Sequence, residues 1–464
     1  MLVRLALADY LCFGAPAELS LRAAPPAGPG TVALPDGGAV ALPDGSRVYD
    51  RAVLVGPGGA GKSALLRALG YLRGLVLGGV RSGPPPRSPN RRIAKEPGSG
   101  TELSLEVLHD GALWRYSMTV GAALIERERL TTTPADGRER LVFERARQGG
   151  VLPAPVVRLG EAAAGERSQL ELIAFGTRPE QPFLAEAILR EARSVQPIAT
   201  WLRDRLQLLR PEAKTVGLAA RCAREPAFAS FVAELLDQAG FGVHAVQTSR
   251  RSLPHDYFET EEEQREVLAA LTGYADGFVQ TQEGEIIAER DDKFVELFLV
   301  GLRFMVSGAS GRAGEADDVP LTLGDLSDGA LRLLHLAQVL YNKPPPGHAA
   351  LPQVFFVDEL DRSLHPRVAR QLLAQFAQLS ESAEPAAADP GGAQLIATTH
   401  DAALLTAVAP AEVRLLARAT PGPDLAAPAP VRLGPPPADL GSEELARRFI
   451  AGTLTPADPA GKSC

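Results

Sequence analysis

A glycine-rich stretch at residues 56–63 has the residue types and spacing of a phosphate-binding loop. Its residues are Gly56, Pro57, Gly58, Gly59, Ala60, Gly61, Lys62 and Ser63, followed by Ala64. Every fixed position of the pattern G-x-x-x-x-G-K-[ST] is matched. Glycines let backbone N–H groups turn toward phosphate oxygens, Lys62 can reach the β- and γ-phosphates of a nucleotide, and the Ser63 hydroxyl can ligate Mg²⁺. A chance glycine-rich turn is the simpler alternative, but the apolar run before it and the helical periodicity after it argue against that alternative.

Two neighbouring carboxylates follow a second apolar run at 354–357. This pattern predicts a buried strand that delivers Asp358 and Glu359 to the carboxyl edge of an open α/β sheet, where ligands bind. Asp358 would hold Mg²⁺ through water, and Glu359 would orient and deprotonate an attacking water. The alternative is a strand end followed by a helix that Asp361 or Ser363 merely caps. The phosphate-binding pattern in the same chain favours the catalytic interpretation.

Two further patterns carry weaker signals. His400 ends an apolar run at 395–399, and its imidazole could contact a γ-phosphate. Ser327 and Gly329 stand at the start of an apolar-periodic helix, whose N-terminal N–H groups and dipole attract anions. An ordinary N-cap formed by Ser327 explains the same spacing without any ligand, and on spacing alone it is the better explanation.

The elements around these residues alternate between strands and helices. The periodicity predicts strands at 52–56, 295–306, 354–358 and 394–399, and a β-hairpin over 101–120. It predicts helices at 63–76, within 183–209, at 228–242 with Gly240 as the stop, at 255–272, from about 328, and at 365–378. This alternation predicts an α/β P-loop fold with a mostly helical insertion. The expected parts are an N-terminal head segment 1–145, the insertion 146–318, and a C-terminal head segment 319–464.

Composition excludes several classes of protein. The 464 residues carry a formal net charge of −8, so no global positive field attracts nucleic acid or an anionic membrane. Three cysteines match no metal-ligand spacing, which favours a reducing cytoplasm. No apolar stretch reaches the roughly 18 residues of a membrane span. Alternating apolar residues from Val3 to Leu7 predict a strand rather than a signal peptide, and 81–100, 381–393 and 419–439 are predicted loops.

In chain order, the patterns resemble those of ABC-type ATPases. The corresponding motifs are Walker A at 56–63, a signature at 326–330, Walker B at 354–359, a D-loop at 360–363 and a switch His400. This resemblance implies ATP with Mg²⁺, and Lys62, Glu359 and His400 as catalytic residues. It also implies a homodimer that sandwiches ATP, in which Ser327 and Gly329 act on the partner's γ-phosphate and Asp361 lies at the seam. The short signature L-S-D-G and the long insertion depart from the transporter pattern.

A closer resemblance covers nearly the whole chain. The stretches "LVRLALADYLCFGAPAELSL", "GPGGAGKSALLRAL", "LSDGALRLL", "VDELDRSLHP" and "TTHDAALL" resemble the bacterial AAA/ABC-type ATPases of the abortive-infection and overcoming-lysogenization class, which are relatives of chromosome-maintenance (SMC) and RecF heads. This class implies prokaryotic antiviral defence. The segment after His400 carries no acidic nuclease cluster, so the resemblance implies a separate effector chain, a nuclease or toxin.

Two alternatives remain open. A RecF-type DNA-maintenance ATPase would use Arg81, Arg87, Arg91, Arg92 and Lys95 as a basic loop on DNA, although such a loop is more often only solvated. A transporter ATPase fits less well, because no Q-loop glutamine can be placed in 81–100 and the signature is poor. The insertion, including Trp201 and the apolar face at 228–236, either forms its own small core or docks an effector or another subunit.

Overall fold

The chain forms two compact units. The computed structural model describes residues 1–23, 39–90, 100–147, 155–211, 217–254, 257–258, 260–272, 278–281, 284–290, 295–308, 318–341, 354–382, 393–418 and 431–457. The first unit comprises Met1–Pro211, Leu351–Asp361 and Ala369–Cys464. The second unit comprises Glu212–Ala350 and Arg362–Val368.

The described residues form strands and helices with the following bounds. The strands are β1 (Leu2–Ala8), β2 (Ala17–Ser20), β3 (Ala39–Ala41), β4 (Arg47–Tyr49), β5 (Arg51–Val55), β6 (Thr101–His109), β7 (Ala112–Val120), β8 (Ile125–Thr133), β9 (Arg140–Arg147), β10 (Pro155–Leu159), β11 (Leu206–Leu209), β12 (Val243–Ser252), β13 (Phe278–Gln280), β14 (Glu285–Arg290), β15 (Val295–Val306), β16 (Val319–Leu321), β17 (Val354–Val357), β18 (Gln394–Thr399), β19 (Val413–Arg418) and β20 (Val431–Gly434). The helices are α1 (Lys62–Gly78), α2 (Arg167–Gly176), α3 (Phe183–Leu189), α4 (Gln196–Thr200), α5 (Leu218–Arg224), α6 (Pro226–Gln238), α7 (Glu261–Thr272), α8 (Asp328–Leu340), α9 (Pro366–Ser382) and α10 (Ser442–Ile450).

A largely parallel sheet lies at the centre of the first unit. In the described part of the chain its order is β11-β17-β18-β5-β19-β20, and only β20 runs antiparallel to its neighbour. Both β17 and β18 are buried along their whole length, as parallel strands covered on two faces usually are. Because β5, β17 and β18 are parallel neighbours, the segments that follow them meet at one edge of the sheet.

An antiparallel sheet packs beside it in the same unit, with the order β10-β9-β8-β7-β6-β1-β2. The predicted hairpin is β6 and β7, and its turn residues Asp110 and Gly111 have φ of 50° and 69°, as in a two-residue type I′ turn. Gln394 on β18 joins the two sheets, because its side-chain amide accepts from Leu2 N at 2.7 Å and donates to Leu2 O at 3.0 Å.

The core of the first unit confirms the predicted helix after the phosphate-binding loop. The leucines predicted to share one face of α1 are all buried: Leu65, Leu66, Leu69 and Leu72. They join a hydrophobic cluster with the inward residues of β1, β6 and β7. This burial fixes α1 to the sheets, and with it the loop at the start of the helix.

The second unit has its own sheet, in the order β12-β15-β14-β13, with β16 also paired to β15. Its helices include α5, α6, α7 and α8. Helix α6 ends at Gln238, and Gly240 has a φ of 84°, which confirms the predicted stop. The strands β12, β13 and β14 were not predicted, so the middle of the chain contains a sheet as well as helices.

One predicted helix is wrong in part. The stretch 183–209 is helical only in short pieces and ends in β11, which pairs in parallel with β17 from Leu206 opposite Val354 to Leu209 opposite Val357. The apolar spacing of "LQLL" suits a helix and a buried strand equally well, and pairing with a distant strand decides between them. Helix α7 begins at Glu261, later than the predicted 255.

Two smaller expectations concern cysteines and membrane spans. Within the described ranges, neither Cys12 nor Cys222 forms a disulfide bond, and Cys464 lies outside these ranges. None of the helices that the structure describes combines the length and apolar character needed to cross a bilayer. Large parts of the three predicted loops (91–99, 383–392 and 419–430) lie outside the described residues.

Candidate nucleotide site

The phosphate-binding loop connects the end of β5 to the start of α1. Gly59 and Gly61 have φ of 71° and 111°, which residues with a side chain rarely adopt. At Gly56 a Cβ atom would lie 2.2 Å from the Leu416 carbonyl oxygen of β19, so the backbone of the sheet itself requires glycine there. Pro57, Gly58 and Gly59 are exposed, which leaves the crest of the loop open to a ligand.

Lys62 is the first residue of α1 and is only 5% exposed. Its Nζ donates to the Gly56 carbonyl oxygen at 2.7 Å and lies 3.4 Å from His400 Nδ1. Burial lowers the pKa of Lys62 to about 8, although the carboxylates of Asp358, Asp361 and Glu359 raise it in part. The ammonium is therefore shielded from solvent and has three carboxylates near it. Because its pKa is lowered, less free energy is needed to deprotonate it than to deprotonate an exposed lysine.

The two acids after β17 are held by a residue of the neighbouring strand. Asp358 is 4% exposed, and its Oδ1 accepts a hydrogen bond of 2.6 Å from Thr398 Oγ1 on β18. The same hydroxyl oxygen accepts from Glu359 N at 2.8 Å. Glu359 is half-buried and has a φ of 48°, a left-handed conformation that is uncommon for a non-glycine residue. Strained backbone of this kind is concentrated at functional sites.

The predicted switch and D-loop residues lie at the same edge. His400 directly follows β18 and is exposed, and its backbone N–H lies 3.4 Å from Asp361 Oδ2. Asp401 then caps the next turn by accepting from Ala403 N at 2.8 Å. The structure thus brings Lys62, Asp358, Glu359, Asp361 and His400 together, as the sheet order requires for residues that follow β5, β17 and β18.

Ser327 and Gly329 belong to the second unit, at the start of α8. The Ser327 hydroxyl accepts from Ala330 N at 3.3 Å, so Ser327 acts as the N-cap that the sequence already allowed. A Cβ on Gly329 would lie 2.7 Å from the Ser363 carbonyl oxygen. Glycine is therefore needed where Ser363, the last residue of the D-loop, passes the start of α8.

Ser63 and Ala64 complete the first turn of α1. Ser63 is half-buried, and Ala64 N donates to the Gly61 carbonyl oxygen at 3.0 Å. The Ser63 hydroxyl and the Asp358 carboxylate are oxygen donors, and ligands of this kind suit Mg²⁺. Among the described residues, no three His, Cys, Asp or Glu side chains could hold a metal ion together.

Thr398 contacts both acids of the site, although the sequence did not indicate it as a site residue. The sequence shows it only as one of two threonines before His400, in an otherwise apolar strand. A threonine within a run that predicts a buried strand indicates a hydrogen bond, because a buried hydroxyl must find a partner. Its partner, Asp358, is 40 residues away, so the sequence could not identify it.

Comparisons with known proteins found one family match and similar solved structures. Residues 51–155 and 170–406 match the family described as "AAA domain, putative AbiEii toxin, Type IV TA system". No curated protein matches the chain. Among solved structures, the chain is similar to the SMC head domain from Thermotoga maritima, with 12% sequence identity and a TM-score of 0.34. That alignment covers 94% of this chain and 98% of the other.

Proposed function

Because the chain belongs to this family of AAA domains, with an α/β P-loop fold, we propose that it binds ATP with Mg²⁺ and hydrolyses it to ADP and phosphate. The observation that carries the proposal is the cluster at the sheet edge, where Lys62 Nζ lies 3.4 Å from His400 Nδ1 and the carboxylates of Asp358, Glu359 and Asp361 surround the ammonium. Each of these residues follows a strand of the same parallel sheet.

The proposed roles follow from chemistry. Residues 56–64 cradle the phosphates through backbone N–H groups and the N-terminus of α1. Ser63 and Asp358 would hold Mg²⁺, which neutralises charge on the β- and γ-phosphates. The Lys62 ammonium stabilises negative charge on the γ-phosphate. Glu359 orients a water molecule and accepts its proton as the water oxygen attacks the γ-phosphorus and the bond to the bridging oxygen breaks. His400 contacts the γ-phosphate and links its presence to the loop after β18.

We further propose that two copies close on ATP. In this assembly Ser327 and Gly329 of one copy face the γ-phosphate held by the other, and Asp361 lies at the seam. The start of a 13-residue helix supports this role, since free N–H groups there favour an anion. The segment 146–318 would then carry contacts to a partner or to a higher oligomer.

The biological role we propose is regulation of a separate effector, a nuclease or toxin, in prokaryotic antiviral defence in the cytoplasm. The family description, which names a toxin of a type IV toxin–antitoxin system, and the resemblance to the abortive-infection and overcoming-lysogenization class support it. DNA maintenance remains the alternative. Of its basic loop, Arg91, Arg92 and Lys95 lie outside the described residues, and Arg87 is paired with Asp9 at 3.2 Å.

Replacing the proposed base tests both hydrolysis and assembly. Glu359→Gln keeps the side-chain shape but removes the proton acceptor, so we expect hydrolysis to fall by a factor of about 100 or more while ATP affinity is retained. With ATP present, light scattering should show a stable dimer or larger assembly. Failure of this variant to retain ATP and to stabilise an assembly would contradict the sandwich mechanism. Salt-dependent binding of plain duplex by the wild-type chain would instead favour DNA maintenance.

A further inference from the structure

Thr398 contacts three consecutive residues of the proposed catalytic segment. Its hydroxyl donates to Asp358 Oδ1 at 2.6 Å and accepts from Glu359 N at 2.8 Å, and its carbonyl oxygen accepts from Leu360 N at 2.9 Å. Thr398 is fully buried on β18, between β17 and β5. One residue of the neighbouring strand therefore makes three hydrogen bonds to the turn in which β17 ends.

These contacts determine where both acids point. The donated hydrogen bond fixes the rotation of the Asp358 carboxylate, and a hydrogen bond to an ionised carboxylate is stronger than one between neutral groups. The bond from Glu359 N supports the backbone of Glu359 at a φ of 48°, a left-handed conformation that is unfavourable for a residue with a side chain. Without the hydroxyl, the carboxylate would lose this hydrogen bond and the strained turn would lose part of its support.

We propose that Thr398 is a positioning residue that presets Asp358 for the metal and Glu359 for the attacking water. This inference rests on the proposed function, because it assigns a role toward the same ATP and Mg²⁺. Residues that orient a metal ligand through a hydrogen bond typically change metal affinity or activity 10- to 100-fold when they are replaced. The side chain of Thr398 is fully buried, so its proposed role is exerted through Asp358 and Glu359.

Thr398→Val tests the proposal, because valine keeps the shape and β-branching of threonine and removes only the hydroxyl. Mn²⁺ affinity in the presence of a non-hydrolysable ATP analogue, followed by electron paramagnetic resonance, should weaken about tenfold. Affinity for a fluorescent ATP analogue without metal should stay within about twofold, since the phosphate-binding loop is unchanged. The maximal hydrolysis rate should fall about tenfold or more. Thr398→Ser, which keeps the hydroxyl, should restore Mn²⁺ affinity.

Thr131→Val is the matched control, because Thr131 is also a buried strand threonine but lies on β8 of the other sheet. It should leave Mn²⁺ affinity unchanged. If Thr398→Val does not fold, Thr398→Ala compared with Thr398→Ser gives the same test of the hydroxyl. A folded Thr398→Val or Thr398→Ala variant with wild-type Mn²⁺ affinity would overturn the proposal.

The metal measurement also separates this inference from the proposed function. If the wild-type chain binds Mn²⁺ with the analogue but does not hydrolyse ATP, the proposed hydrolysis is wrong and the Mn²⁺ comparison still decides the role of Thr398. If the wild-type chain binds neither nucleotide nor metal, both the function and the role of Thr398 are overturned.

Discussion

The protonation of the Lys62 amine depends on its burial and on the carboxylates near it. Its surroundings combine near-complete burial, which disfavours the ammonium, with three carboxylates that favour it, and burial has the larger effect. The ammonium donates to the carbonyl oxygen of Gly56, a residue of its own loop. A bound phosphate would replace this internal partner with a stronger one, because hydrogen bonds between charged groups are shorter and stronger.

The pKa of Lys62, lowered to about 8, predicts a pH dependence of ATP binding. Below that pH the free protein holds an ammonium ready for phosphate, and above it the amine is increasingly neutral and affinity falls. For a group with this pKa, the dissociation constant for ATP should rise about eightfold between pH 7.5 and 9. Calorimetric titration across this range measures it.

Lys62→Arg provides the control for this pH effect, because a guanidinium stays charged throughout the range. Where this variant still binds ATP, its affinity should not change between pH 7.5 and 9. An equally flat profile for the wild-type chain would show that the charge of Lys62 does not limit binding.

At the scale of elements, the phosphate-binding loop is shaped by its sheet as well as by its ligand. Gly56 leaves β5 directly against the backbone of β19, whereas Gly58 on the crest of the loop has no atom within 4 Å of a would-be Cβ. Both are glycines of the same motif, yet tertiary packing constrains only the first. In this chain, the first glycine is required by the neighbouring strand, whereas the position of Gly58 is open to a ligand.

Gly56→Ala and Gly58→Ala should consequently differ in stability. The first places a methyl group 2.2 Å from the Leu416 carbonyl oxygen, and overpacking of this kind costs about 1–3 kcal/mol. We expect the unfolding temperature to fall by about 5 °C for Gly56→Ala and by less than about 1 °C for Gly58→Ala. Differential scanning calorimetry of both variants compares them, and equal unfolding temperatures would mean that β19 does not constrain the loop.

For the whole molecule, the question is whether one chain completes its own site. The phosphate-binding loop and the acids of β17 belong to the first unit, and the start of α8 belongs to the second. Within one chain Ser327 already has a structural partner, since it caps α8 through Ala330 N. A test of whether Ser327 contacts phosphate in a second copy must therefore give a result that loss of the N-cap alone would not produce.

Mixing two inactive variants provides this test. Lys62→Met removes the phosphate-binding cation, and Ser327→Arg blocks the start of α8. If the sites form between two copies, a mixed dimer regains one intact site, and an equimolar mixture should recover about a quarter of wild-type hydrolysis. Ser327→Asp, which preserves the cap, separates helix stability from phosphate contact. A mixture as inactive as either variant alone would place Ser327 outside the composite site.

By itself, the sequence determined those features that depend only on residues close together along the chain. The phosphate-binding loop, the helix after it, the hairpin at 101–120 and the acids after an apolar strand follow from glycine conformations, periodicity and strand-end chemistry within short windows. The convergence of Lys62, Glu359 and His400 followed from one further rule, that parallel strands present their carboxyl ends at one edge.

Only the tertiary structure decided what depends on distant pairing. It showed β11 beside β17, the support of the two acids by Thr398, and the contact that makes Gly56 obligatory. These features join residues 40 to 360 positions apart along the chain. A local sequence pattern does not specify which strands will pair with each other. The same apolar run, "LQLL", fits a helix or a strand until β17 is there to pair with it.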